Sequence, residues 1–185
     1  MSGAWELFEK LTWQLLYSRL NRYWKCLFKG HEVTGAERRE AIKAEIMERT
    51  GITEAMIERL VRGFYAKVRS DPVLAPIFDA RIRDWESHLA RMCAFWSSVA
   101  LMSGRYHGTP MVKHMPLPVD AGHFDRWLEL FEAAAGEICP PLAAAHFVER
   151  AQRIAASLEL GIAGGQGVVL APGERFRRNQ AAAVQ

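Results

Sequence analysis

Apolar residues recur at spacings of three and four through most of the chain, the period of helices with one buried face. The clearest run is Trp85, His88, Leu89, Met92, Phe95, Trp96 and Val99, which puts His88 on the apolar face of a helix capped by Asp84. Ser103, Gly104, Gly108 and Pro110 then break the period and turn the chain before His114. Upstream, Thr53 is a plausible N-cap for a helix presenting Ile57, Leu60, Val61, Phe64 and Val68, with Tyr65 on the same side. Asp71-Pro72 stops it, because proline disfavours a helical residue before it and donates no amide hydrogen. Leu74, Pro76, Ile77 and Phe78 follow as a compact apolar corner. Downstream, Asp120 can cap a helix with Phe124, Trp127, Leu128, Phe131, Ala135 and Ile138 inside. Pro140-Pro141 forces a break before a last helix with Leu142, Phe147, Ala151, Ile154 and Leu158, which Gly161, Gly164, Gly165 and Gly167 are expected to end. Two elements lie ahead of these. Trp5 to Phe28 forms an aromatic amphipathic helix, and Thr34-x-x-Glu37 is a capping box opening a short charged helix to about Arg49, closed by Gly51. Helical periods outweigh alternating ones, so the fold class is all-α.

Composition narrows this reading. The chain has 185 residues, half of them hydrophobic, enough for one domain with a substantial core. A net charge of only +3 gives no global support to a nucleic-acid partner. Cys26, Cys93 and Cys139 lie far apart, in no zinc-like pairing, and read as buried free thiols of a reducing compartment. No apolar run is long enough to span a membrane and no secretory leader is visible, so a cytoplasmic location is expected. The helix from Trp5 to Phe28 carries Lys10, Arg19, Arg22 and Lys25, with Lys29 next to its end, against Glu6 and Glu9. Such a helix can lie on an anionic membrane surface, but docking on the domain or pairing with a second copy is favoured. It also leaves open a translation start further on, for instance at Met47. The tail, with Arg175, Arg177 and Arg178 among Ala, Asn and Gln, has little apolar surface and is expected to be mobile.

The chemistry concentrates between Trp85 and His114, where two histidines are offered to one apolar volume that a largely hydrocarbon metal complex would suit. From the residues alone, His88 is more often a satisfied core histidine, and His114 a loop histidine that can bind metal. Tyr65 and Phe78 read as core aromatics. Lys113 reads as a solvated charge, His31 and His107 as surface residues, and His123 and His146 as structural or exposed.

The motifs carry more than their parts. Phe64-Tyr65, Asp71 to Phe78 (DPVLAPIF), Trp85-x-x-His88, Phe95-Trp96, Tyr106-x-Gly108-x-Pro110-x-x-x-His114 and Phe124-x-x-Trp127-Leu128 together resemble the group III truncated haemoglobins, a branch of the two-over-two helical globins. The resemblance runs from about Ile52 to about Gly161. It implies a truncated globin-like two-over-two helical sandwich with an extra N-terminal helix. The domains expected are residues 1–35 (helix and linker), 36–163 (globin) and 164–185 (flexible tail). It implies one haem b, with His114 as the metal ligand and Phe78, Trp85, His88, Arg91, Met92, Trp96, Tyr106 and Lys113 around the cofactor. Arg91 and Lys113 would pair with the haem propionates. Tyr65, His88 and Trp127 would surround the sixth position and donate hydrogen bonds to ligands that become negative when bound. Slow release of oxygen would follow, which argues against a simple carrier. The function implied is binding of oxygen, nitric oxide or another diatomic ligand for scavenging, sensing or redox chemistry. Nitric oxide dioxygenation or peroxide reduction is the enzymatic alternative, and it would need an external reductase because no flavin or nicotinamide domain is visible. A cofactor-free helical interaction module is the remote one.

Overall fold

A computed structural model describes residues 34–178. The expected helix from Trp5 to Phe28, Cys26 and His31 lie outside them. The described residues form seven helices and no strand: α1 (Gly35–Thr50), α2 (Glu54–Ser70), α3 (Ala75–Asp79), α4 (Trp85–Leu101), α5 (Pro110–His114), α6 (Ala121–Ile138) and α7 (Pro141–Gly165). The chain divides into two units after Arg38, and the second unit holds most of α1 and every later helix.

The helix boundaries obey local rules. The Thr53 hydroxyl accepts the Met56 amide, the Asp84 carboxylate accepts the Ser87 amide, and Asp120 forms a reciprocal cap with His123. Gly51 ends α1 at φ +70°, and Met102 ends α4 in the left-handed region at φ 57°. Asp71 both stops α2 and starts the next turn. Its buried carboxylate accepts the amides of Val73 and Leu74 at 3.0 Å each and the Arg126 guanidinium at 2.7 Å.

The long helices pack as two layers, α2 and α4 against α6 and α7, with α2 on α6 and α4 on α7. Phe64, Trp96, Phe131 and Phe147 are buried where the layers meet. Trp96 stacks on Phe131 at 4.7 Å and meets Phe147 edge-on at 5.9 Å. The end of α4 is held by α7, since His146 Nε2 lies 3.0 Å from the Ala100 carbonyl and Arg150 Nε donates to that of Val99. These carbonyls have no acceptor role left inside α4, so side chains of a neighbouring helix satisfy them. His146 is therefore structural.

α7 ends among the late glycines as expected: it runs through Gly161 to Gly165, and the left-handed turn comes at Gly167 (φ +77°). One expectation needs correction. The tail is not free up to residue 178. Phe176 is fully buried, and Arg175 pairs with Glu159 and Asp125 at 2.8 and 2.7 Å. One aromatic ring and a charge pair outweigh the polar composition around them. Among the described residues, no helix is long and apolar enough to cross a membrane.

Candidate functional site

The wall built by α2, α3 and α4 is a cluster of rings. Trp85 and His88 are three residues apart on α4 and so project from one face. The rings of Tyr65 and His88 meet edge to face at 5.0 Å and 89°. Trp85 lies 5.8 Å from His88 and 6.1 Å from Tyr65, and Phe78 lies 5.9 Å from Tyr65. Perpendicular ring packing of this kind is attractive and fixes orientation. Burial pushes the Tyr65 phenol well above its usual pKa, so the hydroxyl stays protonated and able to donate.

His88 Nε2 is buried and has no hydrogen-bond partner among the described residues. An unpaired buried polar atom costs about 1–3 kcal/mol, so it calls for an occupant able to bond with it. Burial first, then the charges of Arg91 and His114, push the His88 pKa down to about 4. The imidazole is neutral near pH 7.

His114 comes from the other side of the chain reversal. Pro110 starts α5, where its missing amide hydrogen costs nothing. The single helical turn that follows brings His114 Nδ1 to 2.7 Å from the Pro110 carbonyl. A carbonyl oxygen only accepts, so Nδ1–H is the donor and the neutral ring keeps its lone pair at Nε2. Burial holds the His114 pKa below its usual value, partly offset by that hydrogen bond. An imidazole anchored through one nitrogen and neutral at the other is ready to bind a metal.

The remaining candidates divide. Trp127 is half-buried, stacked on Phe131 at 5.3 Å and edge-on to Phe64 at 5.2 Å; Phe64 in turn lies 4.9 Å from Tyr65. Met92 is half-buried on α4, as is Tyr106, whose ring meets Phe95 at 5.2 Å. Arg91 is exposed, and its charge acts on both His88 and Tyr106. Lys113 is exposed beside His114. Trp96 stands apart: it is 2% exposed and packed between Phe131 and Phe147, inside the core rather than among the half-exposed side chains. Two contributors carry no sequence signal. Arg69 lies over the Trp85 ring at 4.8 Å, a cation–π contact, and Met111 occupies the space beside Gly161.

The model of the bacterial-like globins matches residues 45–158. The chain belongs to the bacterial-like globin family. The globin is 34% identical to the group 3 truncated haemoglobin of Campylobacter jejuni over 113 residues, which is 58% of this chain and 89% of that protein. It superposes on the crystal structure of that group III haemoglobin with a TM-score of 0.55. It also superposes on the haemoglobin of Chloroflexus aurantiacus at a TM-score of 0.52, with 28% identity over 61% of this chain and 95% of the other. The sequence resemblance and the truncated globin fold are thereby borne out, and haem binding follows from membership. The matched stretch contains Tyr65, Phe78, Trp85, His88, His114 and Trp127, and stops short of the last turns of α7.

Proposed function

We propose that this globin holds haem b through His114 and binds oxygen or another diatomic ligand on the side of Tyr65 and His88. The observation that carries the reading is the Nδ1–H bond from His114 to the Pro110 carbonyl, which leaves a lone pair at Nε2, together with a His88 Nε2 that is buried and unpartnered among the described residues. The cofactor fits what is present. Half-buried Phe78, Trp85, Met92 and Leu128 offer apolar surface to a flat macrocycle, and the exposed cations Arg91 and Lys113 suit its propionates. One imidazole suffices as an anchor because a porphyrin supplies its own four nitrogens.

Haem iron supplies a centre that takes a diatomic ligand and exchanges electrons. The chain does the rest. The neutral Tyr65 hydroxyl and the His88 and Trp127 ring N–H groups are donors for a ligand that becomes negative, and each such bond is worth about 1–3 kcal/mol. The ring cluster excludes water, which strengthens those bonds. Donors of this strength slow ligand release, which favours scavenging, sensing or redox chemistry over bulk transport.

Visible spectra of ferric, ferrous and oxygenated protein test the reading. A Soret band that His114→Ala abolishes or greatly weakens is the expected result, with His88→Ala retaining haem and changing ligand kinetics. The reverse pattern would show that the two faces are exchanged.

A further inference from the structure

The segment just beyond the family match packs against the helix that carries His114, and it does so at two places. The first is a pair of notches on α7. The position a Cβ would take at Gly161 is held by the Sδ and Cε atoms of Met111, and at Gly165 the Cε of Met115 would lie 3.0 Å away. Neither glycine has a positive φ, so the missing side chain matters here rather than the backbone freedom. Met111 and Met115 straddle His114 in sequence, and the Met115 amide bonds to the Met111 carbonyl at 3.0 Å.

The second place is the chain after α7. Phe176 is fully buried with Val119, Phe124, Leu158 and Ile162, and Met111 and Leu117 pack against that cluster. The Leu117 amide donates to the His114 carbonyl at 2.9 Å. The Phe176 backbone is gripped on both sides: its amide donates to buried Glu159 at 2.7 Å, and its carbonyl accepts the Ala121 amide at 2.9 Å. Glu159 also accepts Arg175 Nε at 2.9 and 3.0 Å.

We propose that residues 159–176 form a buttress that fixes α5 against α7, and that Gly161 and the Glu159–Arg175 clamp are positioning residues for His114. The proposal rests on His114 being the iron ligand. Met111 joins α5 to α7 at the notch, and the Glu159–Arg175 clamp holds Phe176 in the cluster against which Met111 and Leu117 pack. Loosening either part changes the angle and distance at which His114 Nε2 meets the iron, without touching the cofactor.

The test uses the full chain loaded with haem and also haem-free. Gly161→Val fills the notch, and Met111→Ala in the same chain vacates it again. The expected result is a shifted and broadened iron–histidine stretching band in the ferrous resonance Raman spectrum of Gly161→Val. Haem transfer to an acceptor globin should be on the order of tenfold faster, in line with the usual cost of overpacking. Both should return toward wild type in the double variant. In the haem-free chain, Arg175→Met should speed amide exchange across residues 111–117 relative to α2, and in the loaded chain it should move the same Raman band. A wild-type band and exchange pattern in Arg175→Met would overturn the buttress, even if Gly161→Val fails to fold. A Gly161→Val shift that Met111→Ala leaves uncorrected would overturn it too. Persistence of the iron–histidine band in His114→Ala would overturn the ligand assignment itself, a separate outcome read on a separate variant.

Discussion

The two histidines of the site are held in opposite ways. His88 is surrounded by rings, touching Tyr65 and Trp85 edge-on, with Nε2 left unbonded among the described residues. His114 is tied by a 2.7 Å hydrogen bond to the carbonyl four residues earlier, on a helix five residues long that rests on methionine and glycine contacts. The first wall is stiff in its packing and open in its chemistry; the second is anchored in its chemistry and adaptable in its packing. A ligand-binding face needs donors that are not already engaged, whereas a metal ligand needs a fixed tautomer and an aimed lone pair. On the proposed reading, the orphan nitrogen suits the donor face and the anchored one suits the metal ligand.

The largest effect that could break this comparison is loss of the anchored side. His114→Ala should lower haem affinity by more than about a hundredfold, beyond what loss of a supporting partner costs. Haem transfer kinetics measure it, and an equal loss in His88→Ala would erase the distinction. Next comes the donor on the stiff side. Tyr65→Phe keeps the ring packing with Phe78, Trp85 and His88 and removes only the hydroxyl. Oxygen dissociation should therefore rise by roughly 5- to 150-fold, the equivalent of about 1–3 kcal/mol. An unchanged rate in flash photolysis or stopped flow would remove Tyr65 from the ligand's surroundings. Third, Arg126→Met should cost about 1–2 kcal/mol of folding stability, because it strips a 2.7 Å charge-assisted bond from buried Asp71 while leaving the Val73 and Leu74 amides in place. Denaturant unfolding reads it. Haem affinity should fall less than stability, since Asp71 sets the turn into α3 and is not among the residues proposed to hold the cofactor.

How much can be read from the chain alone depends on the range of the interactions. Caps at Thr53, Asp84 and Asp120 act within three residues and are visible as residue types. The stiff wall is visible too, because Trp85 and His88 share a face by helical period and Tyr65 stands in a matching motif. The anchored wall is visible only as a histidine after Pro110. Its hydrogen bond depends on the chain closing one helical turn between Pro110 and His114, where punctuating glycines and prolines suggest a loop. The contacts that seat α5 join residues fifty apart, Met111 to Gly161, and no local pattern reports such a pairing. Glycines late in α7 read as terminators, since glycine ends helices more often than it makes room for a neighbour. The tail misleads for a related reason: its average composition is polar, yet one phenylalanine and one arginine fold it down. Trp96 shows the converse limit, because the motif that contains it does not report that its ring is buried against Phe131 and Phe147.

The smallest effect sharpens the comparison through pH, using the haem-free chain so that no metal competes for the ring. Burial depresses the His88 pKa to about 4, below its ordinary value of 6.5. The unfolded chain therefore binds a proton at His88 more readily than the folded one does. The stability this contributes is full above pH 6.5 and is lost as the pH falls from there toward 4. His88→Leu, similar in bulk and unable to titrate, should flatten the decline of the thermal midpoint across that window. His114 is shifted the same way, with its hydrogen bond to Pro110 working against the shift, so His114→Leu should flatten the curve less. Were the His114 substitution to flatten it more, burial would weigh more on His114 than on His88, and the contrast between the two walls would have to be redrawn.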